Sequence, residues 1–164
     1  MIRPIQIYLD TSVINFLFAD DSPEKRDVTI DFFENYIKPG VYESFVSDFV
    51  LEEILQTRNL EKRNRLMKVV DDYYLTRLES SDISEVQELA MKYLSAGALP
   101  EKNIMDALHV ALAVTQKIPY LVSWNYKHLA NINKEMKIRM VNLSLQYSDE
   151  IRILTPYELV GYGS

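Results

Sequence analysis

The sequence predicts an α/β protein, a three-layer α/β/α sandwich built on a mainly parallel central sheet. Apolar strand-like segments such as Ile5–Leu9 and residues 120–124 alternate with helical segments. Helical crossovers of this kind join parallel strands, and strands that are apolar on both sides need helices on both faces of the sheet. Only four Gly and six Pro occur in 164 residues, so we expect short loops and many helices.

In the first half of the chain, strands are expected where β-branched and aromatic residues concentrate. Helices are expected where a proline or a polar residue precedes a longer run. Pro23 suits the first position of a helix, and Pro39-Gly40 ends that helix. The expected elements are strands at Ile5–Leu9 and Tyr42–Ser47 and helices beginning at Ser12 and covering residues 23–36, 49–57 and 59–73.

The second half repeats the alternation of strands and helices. Gly97 ends one predicted helix, and Pro100 precedes another. The expected strands are a short edge strand at residues 75–78 and further strands at 120–124, 137–143 and 151–154. The expected helices cover residues 82–96, 102–116 and 126–131, with a last turn beginning at Pro156.

Composition limits the classes of function. The chain has no Cys, which excludes disulfides and Cys-ligated zinc. A net charge of −6 argues against a protein that coats nucleic acid with a basic surface, but not against an enzyme that binds polyanions through metal ions. No targeting segment and no apolar run of about 18 residues stands out, so we expect residues 1–164 to form one cytoplasmic domain without a membrane contact.

Acidic residues stand at the predicted carboxyl ends of the strands. Asp10 follows the first strand, Glu53 lies in the helix after the second, and Asp106 lies near the start of the helix that precedes the strand at residues 120–124. That strand is followed by Asn125. Ligands of parallel sheets bind at these strand ends, and oxygen ligands suit Mg²⁺ or Mn²⁺. The pattern therefore indicates a metal site.

Each of these residues also has a purely structural explanation. Asp10 could cap the following helix, Asp106 could favour the helix dipole, and His109 could be a core histidine. Glu52 and Glu53 could form a solvated helix face. Glu53 is the better candidate ligand, because apolar residues lie three and four positions before it and indicate a packed side.

Four segments together resemble the PIN-domain nucleases, and among them the VapC-like toxins of bacterial and archaeal toxin–antitoxin pairs. The segments are Tyr-Leu-Asp-Thr-Ser-Val at residues 8–13, residues 47–54, Asp-Ala-Leu-His-Val-Ala at 106–111 and residues 121–129. The resemblance extends from about residue 5 to about residue 155. It implies an α/β/α fold, in agreement with the pattern of strands and helices.

The resemblance also implies a function: a ribonuclease that uses Mg²⁺ or Mn²⁺ to hydrolyse RNA. Asp10, Glu53 and Asp106 would then be the metal-binding and catalytic acids. Asn125 would be a catalytic residue at a position where the family commonly has a fourth acid. Its amide oxygen can ligate a cation but brings no charge. Members of the family often form homodimers and often pair with an antitoxin protein.

Further residues receive roles from their positions beside these motifs. Thr11 and Ser12 would contact the substrate phosphate or orient Asp10, and Ser123 and His109 would support the metal ligands. Lys127 and His128 directly follow the Asn125 segment, so we expect them to bind RNA at the active edge.

Three alternatives remain open at the level of sequence. The strongest is a PIN-like module that binds RNA or protein but cuts weakly or not at all, because Asn125 replaces an acid. A haloacid-dehalogenase-like phosphatase would need an Asp where Ser12 stands. A receiver domain would need an acidic pair after the first strand. No glycine-rich phosphate loop is present.

Overall fold

The apolar strand segments assemble into one central sheet. In the computed structural model, which describes residues 3–79, 82–125 and 129–161, the sheet has five strands in the order β3-β2-β1-β4-β5, and every pairing is parallel. The strands are β1 (Ile5–Leu9), β2 (Tyr42–Ser47), β3 (Thr76–Leu78), β4 (Tyr120–Val122) and β5 (Arg152–Leu154). The α/β/α sandwich around a parallel sheet is thereby confirmed.

Eight α-helices lie in the described parts of the chain. They are α1 (Thr11–Asn15), α2 (Pro23–Phe32), α3 (Asp48–Leu55), α4 (Leu60–Asp72), α5 (Ile83–Ser95), α6 (Ile104–Thr115), α7 (Ile132–Ser144) and α8 (Pro156–Leu159). Asn59, Asp82 and Asn131 cap α4, α5 and α7, each by accepting a hydrogen bond from a backbone N–H three residues later. None of the helices within these ranges is long and apolar enough to cross a membrane.

The strand order places β1 at the centre, with β2 on one side and β4 on the other. The chain builds outward from β1 to β2 and β3, and then returns to add β4 against the opposite side of β1. Loops leaving two such strands diverge, and this opens a crevice at their carboxyl ends. The crevice therefore lies where Asp10 follows β1 and Ser123 follows β4.

One predicted strand is wrong: residues 137–143 belong to helix α7. The alternation of charged and apolar residues there resembles a strand. However, the buried positions are Ile138 and Asn142, four residues apart, which is the spacing of a helix face. The side-chain oxygen of buried Asn142 accepts a hydrogen bond from Tyr93, on α5, which compensates part of the cost of burying the amide. Of the predicted short helix at residues 126–131, positions 126–128 lie outside the described residues and 129–131 are not helical.

Candidate active site

Asp10 lies at the bottom of the crevice between β1 and β4. Its backbone N–H donates to the carbonyl oxygen of Val122 at 3.1 Å, which extends the pairing of the two strands by one step. The residue is 3% exposed. A carboxyl group in this position is held rigidly by the sheet and is largely removed from water.

Two serines join Asp10 to the segment after β4. Ser12 Oγ donates to Asp10 Oδ1 at 2.5 Å and accepts the backbone N–H of Trp124 at 3.0 Å. Ser123 Oγ accepts the backbone N–H of Asn125 at 2.9 Å and lies 3.5 Å from Ser12 Oγ. Ser12 and Ser123 thus orient Asp10 and fix the turn that carries Asn125.

Glu53, which lies on α3 directly after β2, faces the same crevice. Its Oε1 accepts hydrogen bonds from Thr11 Oγ1 and from His109 Nε2, both at 2.7 Å. Glu52 is exposed, and its side chain lines a different cavity together with Ser47. The structure therefore brings Glu53, and not Glu52, into contact with the other candidate residues.

Asp106 and Asn125 meet at the rim of the crevice. Asp106 lies in the first turn of α6, and Asn125 Nδ2 donates to Asp106 Oδ2 at 3.2 Å. A fourth carboxylate in place of Asn125 would repel Asp106, whereas the amide N–H stabilises its charge. The amide therefore contacts the site through its nitrogen.

The three acids influence one another electrostatically. Burial raises the pKa of Asp10, against the opposing charge of His109 and the serine hydrogen bonds. Burial, followed by the charges of Asp10 and Glu53, raises the pKa of Asp106 to about 6. Burial also acts to raise the pKa of Glu53, but the hydrogen bond and the charge of His109, together with the hydrogen bond of Thr11, outweigh it, so the net shift is downward. Such a site holds negative charge that a proton or a cation relieves.

The donor chemistry suits a hard divalent cation, because carboxylate oxygens dominate the site. Within the described ranges, no three His, Asp or Glu side chains converge closely enough to enclose an ion by themselves. Magnesium does not need such an enclosure, since it commonly keeps several waters and takes one or two carboxylates together with substrate phosphate oxygens. Asp10, Glu53 and Asp106 fit that kind of open site.

Three functional candidates were not visible from sequence. Tyr8 and Ser47 are both buried in strands. Tyr8 OH lies 2.6 Å from His109 Nδ1 and 2.6 Å from Ser47 Oγ, so hydrogen bonds connect both residues to His109. Lys25 Nζ lies 5.7 Å from the ring centroids of both Phe16 and Trp124, beside the turn that precedes Asn125. For Tyr8, the only signal in the sequence was a tyrosine within an apolar strand, because its hydrogen-bond partners Ser47 and His109 are distant in sequence. Lys127 and His128, predicted to bind substrate, lie outside the described residues.

The fold and the site together define a parallel α/β/α protein with an acidic crevice at the switch in strand order. A sequence model of the PIN domain matches residues 7–135, and the chain belongs to that family. None of the curated protein sequences matches the chain.

Two solved structures are similar to this chain. One is VapBC2 from Rickettsia felis bound to a DNA fragment from the VapBC2 promoter. The match has 13% sequence identity and a TM-score of 0.56, and it covers 92% of this chain and 98% of that chain. Another is VapBC-5 from Mycobacterium tuberculosis, a member of the VapBC family of toxin–antitoxin systems, at 12% identity and a TM-score of 0.44, covering 93% and 99%. At these identities the first likeness shows the fold alone.

Proposed function

We propose that this chain is a divalent-metal-dependent endoribonuclease that hydrolyses RNA phosphodiester bonds with Mg²⁺ or Mn²⁺. The observation that supports this most directly is the placement of three acids around one crevice: Asp10 follows β1, Glu53 lies on the helix after β2, and Asp106 lies in the first turn of α6. Burial and the charges of Asp10 and Glu53 raise the pKa of Asp106 to about 6. Membership of the PIN domain family, whose members are typically nucleases, supports the same reaction.

Asp10, Glu53 and Asp106 would hold the cation. When bound, a divalent cation neutralises a scissile phosphate and acidifies coordinated water. Ser12 holds the Asp10 carboxylate and Thr11 holds that of Glu53, each by a hydrogen bond of its hydroxyl. The products of in-line attack would carry 5′-phosphate and 3′-hydroxyl ends.

Asn125 and basic side chains would bind the substrate. Asn125 would donate to a phosphate oxygen once the charge of Asp106 is neutralised by the cation. Lys25 lies beside the ring of Trp124, the residue before Asn125, and we propose that it attracts the phosphate chain towards an otherwise acidic crevice. Lys127 and His128 are proposed to do the same, and reversing Lys127 to Glu should weaken RNA binding.

The decisive experiment is cleavage of a mixed RNA pool by the wild type and by Asp106→Asn, with Mn²⁺, with Mg²⁺ and with chelator. We expect cuts that need metal, leave 5′-phosphate ends and disappear in the variant. Equal cutting by Asp106→Asn would show that the activity is a contaminant or that the site is misassigned. Bound but uncut RNA would favour the second candidate below.

A catalytically weak PIN-like module that binds RNA or protein is the second candidate. The specific observation in its favour is Asn125, which donates to Asp106 where the family commonly has a fourth acid. Asn125→Asp would then restore cutting to a protein that binds RNA without cleaving it. Gain of metal-dependent cleavage in that variant separates this candidate from the first.

An antitoxin protein is the partner we propose, which would make this chain the toxin of a toxin–antitoxin pair in the cytoplasm. The similar Rickettsia felis structure is a VapBC2 assembly, and this supports a partner for the present chain as well. Co-expression with the product of a neighbouring gene, followed by co-purification and loss of RNA cleavage, tests the proposal. A neighbour that neither binds nor inhibits would contradict it.

We also propose a homodimer that pairs through α7. One face of this helix carries large apolar side chains that are 56–72% exposed, namely Ile132, Met136, Met140 and Leu143. Lys134 and Lys137 lie in its N-terminal half, whereas Asp149 and Glu150 line a cavity together with Leu143 at its C-terminal end. Antiparallel pairing about a two-fold axis would bring the lysines of each copy to the acids of the other.

A further inference from the structure

We propose that Tyr8 and Ser47 are positioning residues for Glu53. Acting through His109, they fix one carboxylate oxygen of Glu53 and leave the other oxygen to ligate the cation. This inference rests on the proposed function, because it takes Glu53 to be a metal ligand. It adds two residues that do not touch the cation or the substrate.

The argument begins with an unbroken series of side-chain hydrogen bonds. Ser47 Oγ lies 2.6 Å from Tyr8 OH, Tyr8 OH lies 2.6 Å from His109 Nδ1, and His109 Nε2 lies 2.7 Å from Glu53 Oε1. Ser47, Tyr8 and His109 are 1%, 0% and 2% exposed. The series therefore runs through the core to Glu53, which is its one partly exposed member.

The chemistry of the groups sets the direction of the bond to Glu53. An ionised carboxylate only accepts, so His109 Nε2 carries a proton and donates a hydrogen bond to Glu53. On the other side of the ring, Tyr8 OH bonds to Nδ1 and to Ser47 Oγ, so both ring nitrogens have partners. Burial raises the pKa of Tyr8, so its hydroxyl stays protonated. Ser47 and Tyr8 thus hold the imidazole in the orientation that points Nε2–H at Glu53.

The ring of His109 is also fixed sterically. The Phe49 ring is nearly perpendicular to the imidazole, at an angle of 88° and a distance of 6.3 Å between ring centroids. The centroid of the Tyr8 ring lies 5.7 Å from that of the imidazole. With its two nitrogens bonded and two aromatic rings against it, the ring is held in one orientation. That orientation determines where the proton of Nε2 points.

Both donors to Glu53 converge on a single oxygen. Thr11 Oγ1 and His109 Nε2 each lie 2.7 Å from Oε1, and no described residue hydrogen-bonds to Oε2. A carboxylate held in this way by one oxygen presents the other in a fixed direction. Supporting partners of this kind typically change metal affinity or activity by about 10–100-fold when they are mutated.

The test is Mn²⁺ binding to the metal-free full-length chain, measured by calorimetry without RNA. Tyr8→Phe deletes only the hydroxyl, and we expect about tenfold weaker binding. Tyr93→Phe is the matched control, since Tyr93 is equally buried and its hydroxyl bonds to Asn142, away from the acids. It should bind Mn²⁺ like the wild type.

A conservative pair at His109 separates positioning from packing. His109→Gln keeps an N–H that can reach Glu53, and it should bind Mn²⁺ more tightly than His109→Leu. Equal loss in both variants would overturn the inference. If Tyr8→Phe does not fold, Ser47→Ala takes its place. We expect this variant to bind Mn²⁺ more weakly than the wild type, and unchanged binding would contradict the inference.

The outcomes distinguish this inference from the proposed function. If the wild type binds Mn²⁺ and Tyr8→Phe binds it equally well, the inference is wrong and the proposed function stands. A wild type that binds no Mn²⁺ and cuts no RNA overturns the proposed function, and the inference with it.

Discussion

Asn125 and Asp106 are joined by a side-chain hydrogen bond, with Nδ2 of Asn125 lying 3.2 Å from Oδ2 of Asp106. The bond connects the turn after β4 to the first turn of α6, two elements that line the crevice. It places an amide donor beside a carboxyl group whose pKa is already raised to about 6. Because the amide compensates charge without adding any, the metal-free crevice is less repulsive than one with four acids.

The first prediction concerns Asn125→Asp. The added carboxylate should lower the thermal unfolding midpoint in chelator and make Mn²⁺ raise that midpoint more than it does in the wild type, since repulsion grows and a cation relieves it. Asn35→Asp is the control, because Asn35 donates to Asp31 on an exposed helix surface. Equal responses to Mn²⁺ in the two variants would contradict the prediction.

The second prediction follows from the raised pKa of Asp106. A carboxyl with a pKa of about 6 in the folded protein and 3.8 as its ordinary value binds its proton more tightly when folded. Its contribution to stability is therefore lost as the pH rises from about 4 to about 6. In chelator, Asp106→Asn should be more stable than the wild type at pH 7, by on the order of 1–2 kcal/mol after allowance for partial solvent exposure.

Denaturant unfolding at pH 4 and at pH 7 measures this difference. The advantage of Asp106→Asn should shrink towards pH 4, where the wild-type carboxyl is protonated. Excess Mn²⁺ at pH 7 should reverse the order, because only the wild type keeps the ligand. A stability difference that does not vary with pH would contradict the assignment of the raised pKa to this residue.

The third prediction separates two adjacent acids. Glu53→Gln should lower RNA cleavage at saturating Mn²⁺ by about a hundredfold or more, because a charged ligand is lost. Glu52→Gln is the control, since Glu52 is exposed and lies outside the network of Thr11 and His109. Cleavage rates for both variants, measured on one RNA, decide the matter. Comparable loss in both would exclude Glu53 as the specific ligand.

The strands and the acidic residue after β1 could be predicted from sequence because each signal is local. Ile5–Leu9 is apolar and ends in an acid, and the structure puts Asp10 at the sheet edge where such residues gather. The role of Tyr8 could not be predicted, because its partner His109 lies 101 residues away and only the fold joins them. The strand order escaped prediction for the same reason. That residues 1–164 form one domain stays a prediction.

The misassigned α7 shows a second limit. The interpretation of residues 137–143 as a strand used the alternation of side chains, whereas burial at Ile138 and Asn142 depends on packing against α5. A polar residue such as Asn142 gives no sign that it is a core position. Its hydrogen bond to Tyr93, 49 residues earlier, supplies the reason.

The fourth prediction concerns RNA binding by Lys25. Lys25→Glu should weaken binding to RNA and reduce the slope of log affinity against log salt by about one, as expected when one phosphate contact is removed. Lys117→Glu is the control, because Lys117 precedes β4 and so lies at the opposite edge of the sheet. Binding should be measured in Ca²⁺ or with Asp106→Asn, so that cleavage does not interfere. Equal effects of both reversals would indicate only long-range charge.

The fifth prediction concerns α7. Met136→Glu combined with Met140→Glu places charge in the middle of the exposed apolar face, where the two residues are 56% and 70% exposed. We expect a dimeric wild type and a monomeric variant by light scattering at equal concentration, because pairing would bury four like charges. Met91→Glu, at a residue 57% exposed on α5, should stay dimeric. A wild type that is monomeric, or a double variant that stays dimeric, would exclude α7 as the dimer interface. In the second case the dimer would leave the apolar face of α7 uncovered, and a different partner would be needed to cover it.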